Sequence, residues 1–238
     1  MHILKESIKL FFASAMSMSL LNRLKQNKLW REIIKEKKPL SLSNVVGKVP
    51  HEIWNKKVRS IVWDEIPKFI NKDKDILYIE FGVWEGYSID YFAKLYKSEK
   101  AEFHGFDTFT GMPENWMHMR AGHYDKSGSS PKSDDPRIKF YKGMFQDTLD
   151  SFLKKLNDHS KNKTIIINFD AVLHSSTIFC LFKIDEHLKN YYFLFDQFGS
   201  DECRAFQDFV DAKRKKYELY VSSETNYSTE VLFGKFID

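Results

Sequence analysis

Cysteine is scarce in this chain. Cys180 and Cys203 are the only two in 238 residues, which excludes a disulfide framework and any CxxC metal spacing. Both fall in stretches with helical spacing, where small buried thiols of a reducing compartment are expected. A cytoplasmic protein is the corresponding expectation. Long apolar runs are also missing. No stretch reaches the roughly 18 residues needed to cross a bilayer. The nearest approach, Leu10–Leu21 (LFFASAMSMSLL), follows a basic start and resembles a signal-peptide core, with Ala13 and Ala15 as small residues. Helical spacing continues through Leu24, Leu29, Trp30, Ile33 and Ile34. A packed or dimerising amphipathic helix is therefore the first expectation, a membrane-surface helix the second and a cleaved signal the third. The dinucleotide pattern GxGxxG is absent, as are an NPPY-like tetrad and paired aromatic-basic RNA motifs. Nucleic acid is not expected as a partner.

What is present is enough for one large core, with 42% hydrophobic and 16% aromatic residues. Charge is unevenly spread. Residues 1–74 hold 16 Lys/Arg against 7 Asp/Glu, a net of +9, and residues 75–238 carry a net of −5. A basic front end suits an anionic surface or partner, and lysine-rich solvated helix faces produce the same excess.

Residues 3–36 read as one or two helices, Lys37 to Pro50 as a polar linker, and Glu52–Phe69 as a further helix. Strand patterns then alternate with helical ones. The strands are Ile76–Phe81, Glu102–Phe106, Ile138–Tyr141, Thr164–Phe169, Tyr192–Phe195, Tyr217–Val221 and Val231–Lys235. The helices are Ser88–Lys97, Thr148–Leu156, Ser176–Lys189 and Glu202–Lys216. Such alternation predicts an α/β fold with a mostly parallel sheet. Ser222–Glu230 leaves no room for a crossover helix, so the last two strands must pair antiparallel. The division expected is a helical extension over 1–74, serving as lid or dimerisation element, and a ligand-binding domain over 75–238. Residues 108–137 form the one long irregular segment, and a loop of that length leaving a strand end should overhang a ligand crevice.

The chemistry concentrates in Ile76–Ser88 (ILYIEFGVWEGYS), a strand that stops at Glu80 and breaks into a turn spaced by Gly82 and Gly86. Gly82 permits a tight turn and Gly86 a close backbone approach. Ser88 opens a helix, whose N-terminus favours an anionic group, and Glu80 can accept from an ammonium group. The two ends of an amino acid would be matched together. A strand, turn and helix with routine caps would look the same. Asp107, at the end of the next strand, stands where an acid can grip a ribose diol, or it is a strand-end turn acid.

Taken in order, ExGVxxGxS, GFDTFTGMPENW, YKGMFQDTL, NFDAVLHSST and FDQFG followed by AFQDF resemble the macrocin O-methyltransferase family, over roughly residues 75–236. The resemblance implies a Rossmann-like class I methyltransferase with a seven-stranded sheet and a reversed last strand, which agrees with the antiparallel pair read above. It implies S-adenosyl-L-methionine as cofactor and a sugar or glycosylated small molecule as methyl acceptor. Glu80, Gly82 and Ser88, with Gly86 between them, look like contacts to the methionine part, and Asp107 like the ribose ligand. Gly143 and Phe145 sit where the family turns around adenine, although Phe145 also suits a core position. Trp116 resembles a lid residue.

The same resemblance implies an acidic metal site, and here the chain departs from the pattern. Where the family has D-x-D-x-Y it reads Asp170-Ala171-Val172-Leu173-His174, and two adjacent aspartates become Asp196-Gln197. Asp170, Asp196 and Gln197 with waters could still hold Mg²⁺, more weakly. Asp170 is the expected catalytic base. His174, His118 and His123 are alternatives, each equally readable as a surface or capping residue. The lost acids also motivate a different class of function, a methyltransferase-like binding protein without turnover.

Overall fold

Strand β2 (Ile76–Phe81) is buried at all six positions, as a central parallel strand covered on both faces must be. In the computed structural model, which describes residues 18–42, 59–117, 119–156, 160, 162–199, 201–224 and 229–237, β2 pairs in parallel with β3 (Glu102–Asp107) on one side and β5 (Thr164–Phe169) on the other. Outward from these lie β4 (Ile138–Lys142) and β6 (Tyr192–Phe195), also parallel. The remaining strands are β1 (Leu40–Ser41), β7 (Lys216–Glu224) and β8 (Thr229–Ile237). Their order is β1-β7-β8-β6-β5-β2-β3-β4. Strand β8 runs antiparallel to both β6 and β7, so the expected terminal pair is present and the reversed strand is inserted between them.

The strand expectations agree with the structure to within a few residues at their ends. The eighth strand was not expected. It comes from the segment read as a linker, where Leu40 and Ser41 pair with Val221 and Ser222 and the Leu42 N–H reaches the Ser222 carbonyl at 2.9 Å. An open strand edge offers such backbone partners to any extended segment beside it.

The helices are α1 (Met18–Lys37), α2 (Tyr87–Leu95), α3 (Phe145–Lys155), α4 (His174–His187) and α5 (Asp201–Lys213). Residues 59–65 are also helical and run into a 3-10 turn at Ile66–Lys68. Pro67, which has no N–H to donate, marks the end of that helix. Residues 1–17, 43–58 and His118 lie outside the described part. So do most of the Leu10–Leu21 run and residues 52–58 of the expected Glu52–Phe69 helix.

Side-chain alternation along β2 divides the core. Leu77, Ile79 and Phe81 join a cluster with Leu149, Leu181 and Phe206 on one face, and the end of α1 closes it with Trp30 and Ile33. Ile76 and Tyr78 join Phe92, Phe103 and Phe233 on the other. Trp63 from residues 59–65 is fully buried in this second cluster, its ring 5.0 Å from Tyr91 and 5.6 Å from Phe92. That packing fixes the segment against α2 and brings Arg59 to the carboxyl ends of the strands. The chain leaves β2 toward β3 and β4, then returns across β2 to β5 and β6. The loops after β2 and β5 therefore diverge, which opens a crevice at this switch point.

Candidate functional site

A cavity of about 550 Å³ occupies that crevice. Its walls come from the loop after β2, the end of β3, the long 108–137 loop, the start of α3 and the loop after β5. Gly82 has a φ of +89°, and a Cβ there would stand 2.1 Å from the Asp170 carbonyl oxygen. Only glycine lets β2 turn while β5 passes so close. Gly86 caps α2 with a φ of +78°, and a Cβ there would meet the Pro131 side chain at 3.1 Å, so it lets the long loop pack close to the start of α2.

Asp107 lines the cavity and ties two loops together. Its Oδ2 accepts the Val83 N–H at 2.8 Å and the Trp84 N–H at 2.9 Å, and its Oδ1 accepts the Phe109 N–H at 2.8 Å. Three of the carboxylate's roughly four acceptor positions are thus spent on backbone amides, which leaves room for one hydroxyl rather than a diol pair.

Glu80 lies fully buried behind the wall. It accepts from the hydroxyls of Tyr78 at 2.5 Å and Ser88 at 2.8 Å, and from the Asn168 amide at 3.3 Å. Burial pushes its carboxyl up to about 8, against the pull of those three donors. Ser88 lines the cavity, and its hydroxyl is committed to Glu80 and not to a helix cap. Glu80 therefore reaches the crevice through Ser88. Gly143 stays off the wall, its N–H bonded to the Asp107 carbonyl at 3.0 Å. Phe145 is on the wall, edge-on to Phe81 at 5.3 Å.

The opposite wall is acidic. Asp170 lines the cavity, Asp196 is buried beneath it, and Gln197 reaches the wall beside them. Arg59 meets both acids, with Nη1 at 3.0 Å from Asp170 Oδ2 and 3.3 Å from Asp196 Oδ2. Burial raises both carboxyls above their ordinary values, with Arg59 pulling the other way. The guanidinium itself is held above its usual range, because the two carboxylates outweigh the cost of burying it. Glu202 is fully buried nearby. It accepts the Val172 N–H at 3.0 Å and the Gln197 N–H at 3.4 Å. Val172 has a φ of +66°, a strained conformation for a β-branched residue that the Glu202 contact helps to hold.

Mg²⁺ is not supported here. Among the described residues no group of three His, Cys, Asp or Glu could hold a metal ion, and the position between Asp170 and Asp196 is filled by Arg59. Of the three candidate histidines, the two that are described do not line the cavity either. His174 turns away to Asp208, with Nε2 at 2.8 Å from Oδ2, and bridges α4 to α5. His123 is exposed on the long loop with its ring against Tyr124. That loop does overhang the crevice as expected: Thr108, Gly111, Met112, Pro113 and Tyr124 line it. Trp116 anchors it to the loop after β5 through Met112, Val172 and Leu173.

No protein-family model matches the chain, and no curated protein matches it. Solved structures do. The O-methyltransferase NovP is similar at a TM-score of 0.51 and 17% identity, over 77% of this chain and 79% of that one. The chain has a Rossmann-like methyltransferase fold. The O-methyltransferase TomG from Streptomyces achromogenes, solved with SAM, has a TM-score of 0.48 at 10% identity over 97% of this chain and 96% of its own. An O-methyltransferase from Bacillus cereus, solved with SAH, has a TM-score of 0.47 at 12% identity over 80% and 83%.

Within this methyltransferase fold, sequence reasoning missed Arg59 and Glu202. Arg59 belongs to no motif and was one of sixteen basic residues in the front end. Glu202 was assigned only to a helix. Trp84 and Tyr124, which also line the cavity, carried no signal beyond their aromatic character.

Proposed function

We propose that the protein is an S-adenosyl-L-methionine-dependent O-methyltransferase whose acceptor is a hydroxyl of a sugar or glycosylated small molecule. The observation that carries this is the continuity of the cavity. One space has Ser88 and Asp107 on one wall and Asp170 on the other, in a methyltransferase fold and at its switch point. S-adenosyl-L-methionine would supply an electrophilic methyl group on a sulfonium centre.

The chain's residues have separable tasks in this reading. Ser88 and the loop after β2 hold the amino-acid end, and Asp107 takes one ribose hydroxyl. Phe145 and Met144 offer an apolar face to the base. Asp170 accepts the acceptor's proton as its oxygen attacks. The 108–137 loop excludes water and shapes acceptor choice.

Calorimetric titration with S-adenosylhomocysteine tests the donor half. The expected outcome is micromolar binding, weakened at least tenfold in Asp107→Ala. No binding at millimolar ligand would overturn it. Because Asp170 is already ion-paired, a binding protein without turnover is the competing reading. A donor-consumption assay over sugars and catechols separates the two, and turnover of any acceptor removes the second.

A further inference from the structure

The acidic end of the cavity resembles a metal site in its residue types and differs from one in its geometry. Asp170 and Asp196 approach each other from the ends of adjacent parallel strands, β5 and β6. Two such carboxylates brought together in a buried place must share a cation or take up protons. The cation present belongs to the chain. Nη1 of Arg59 sits within 3.3 Å of one oxygen from each acid, in the gap that a bridging ion would need. A divalent ion with oxygen ligands at about 2.1 Å could not share that gap with a guanidinium nitrogen. The other positions a metal would use are also taken. Both oxygens of Glu202 hold backbone N–H groups of Val172 and Gln197, and Val172 packs among Met112, Trp116 and Leu173.

We propose that Arg59 replaces a divalent metal as the resident cation of this site. Arg59 is then a positioning residue. It holds Asp170 by Oδ2, and Oδ1 is the oxygen left for a hydroxyl donor in the cavity. It is also the one basic residue lining the cavity among the described residues. The segment before the sheet therefore completes the site instead of merely covering it. The role of Asp170 toward an acceptor rests on the proposed methyl transfer; the cation replacement rests on the geometry alone.

The experiment titrates Mn²⁺ into the full chain, read by electron paramagnetic resonance of free ion and by thermal melts. The wild type should bind no Mn²⁺ below millimolar concentration, and its Tm should not move. Arg59→Ala should gain a site at least tenfold tighter, with a Tm that rises with Mn²⁺, and the gain should vanish in Arg59→Ala with Asp196→Asn. Arg59→Lys should keep the site closed. Submillimolar Mn²⁺ binding by wild type that is lost in Asp196→Asn would overturn the proposal. So would a folded Arg59→Ala protein that gains no site. Should Arg59→Ala fail to fold, the wild-type and Arg59→Lys titrations decide it in the same way. S-adenosylhomocysteine binding, measured in parallel, reports on the donor half independently of any metal result.

Discussion

The two walls of the cavity solve the same problem by different means. At the ends of β2 and β3, a buried acid and a half-buried one are met by hydrogen-bond donors. Asp107 takes three backbone amides, and Glu80 takes two hydroxyls and a side-chain amide. At the ends of β5 and β6, Asp170 and Asp196 are met by a charge brought from 111 or more residues away in sequence. Neutral donors spread over a loop keep an acid in place and rigidify the loop. An arginine neutralises the acid as well, and ties its position to a segment that must itself be docked. The first wall is therefore held mostly by groups within about 25 residues of its acids, with the Asn168 amide from β5 as the exception, and the second by a charge from a remote segment. They should fail differently when cut.

The largest effect expected is at the second wall. Arg59→Ala leaves buried acids without their counter-charge, and should cost roughly 3–5 kcal/mol, seen as a large drop in Tm. A loss below about 1 kcal/mol would erase the proposed contrast between the walls. Next comes the glycine that lets them meet. Gly82→Ala forces a strained φ and a Cβ into the Asp170 carbonyl; roughly 1–3 kcal/mol and loss of S-adenosylhomocysteine binding are expected in calorimetry and melts.

A subtler cut is at Glu80. Its carboxyl is raised by burial from 4.5 to about 8, so between those values the folded state keeps a proton that the unfolded chain has released. Stability should decline as pH rises through that window, by at most roughly 1.4 kcal/mol per unit. Glu80→Gln should flatten the decline between pH 5 and 8, so the variant gains on wild type as pH rises. Parallel Tm profiles would show that the hydroxyl and amide donors stabilise the Glu80 carboxylate as much as burial opposes it. The smallest effect belongs outside both walls. His174→Ala breaks an exposed pair with Asp208, worth about 0–1 kcal/mol, and should leave S-adenosylhomocysteine affinity within twofold. A tenfold loss would return His174 to the site.

How much of this was legible in the chain depended on how local each feature is. The β2 turn could be read because a buried strand, a positive-φ glycine and a helix start follow one another within about a dozen residues of sequence. Asp107 could be picked out as a strand-end acid, and it lines the cavity, but the number of amides it accepts is set by how the Val83–Trp84 and Phe109 backbones fold around it. A titratable side chain near a motif says nothing of where its ring points. His174 illustrates this, turned toward α5.

By itself the sequence determined the order of the strands and helices, the antiparallel closing pair and the acids at the strand ends. Those follow from patterns with periods of two and about 3.6 residues. Only the tertiary structure decided that Leu40–Ser41 would extend the sheet, that Glu202 would hold the strained Val172, and that Arg59 would sit between Asp170 and Asp196. Each of these joins groups far apart in the chain. Such contacts depend on packing and on the cost of leaving a buried charge or a strand edge unpaired, and neither cost has a signature in any short window of residues.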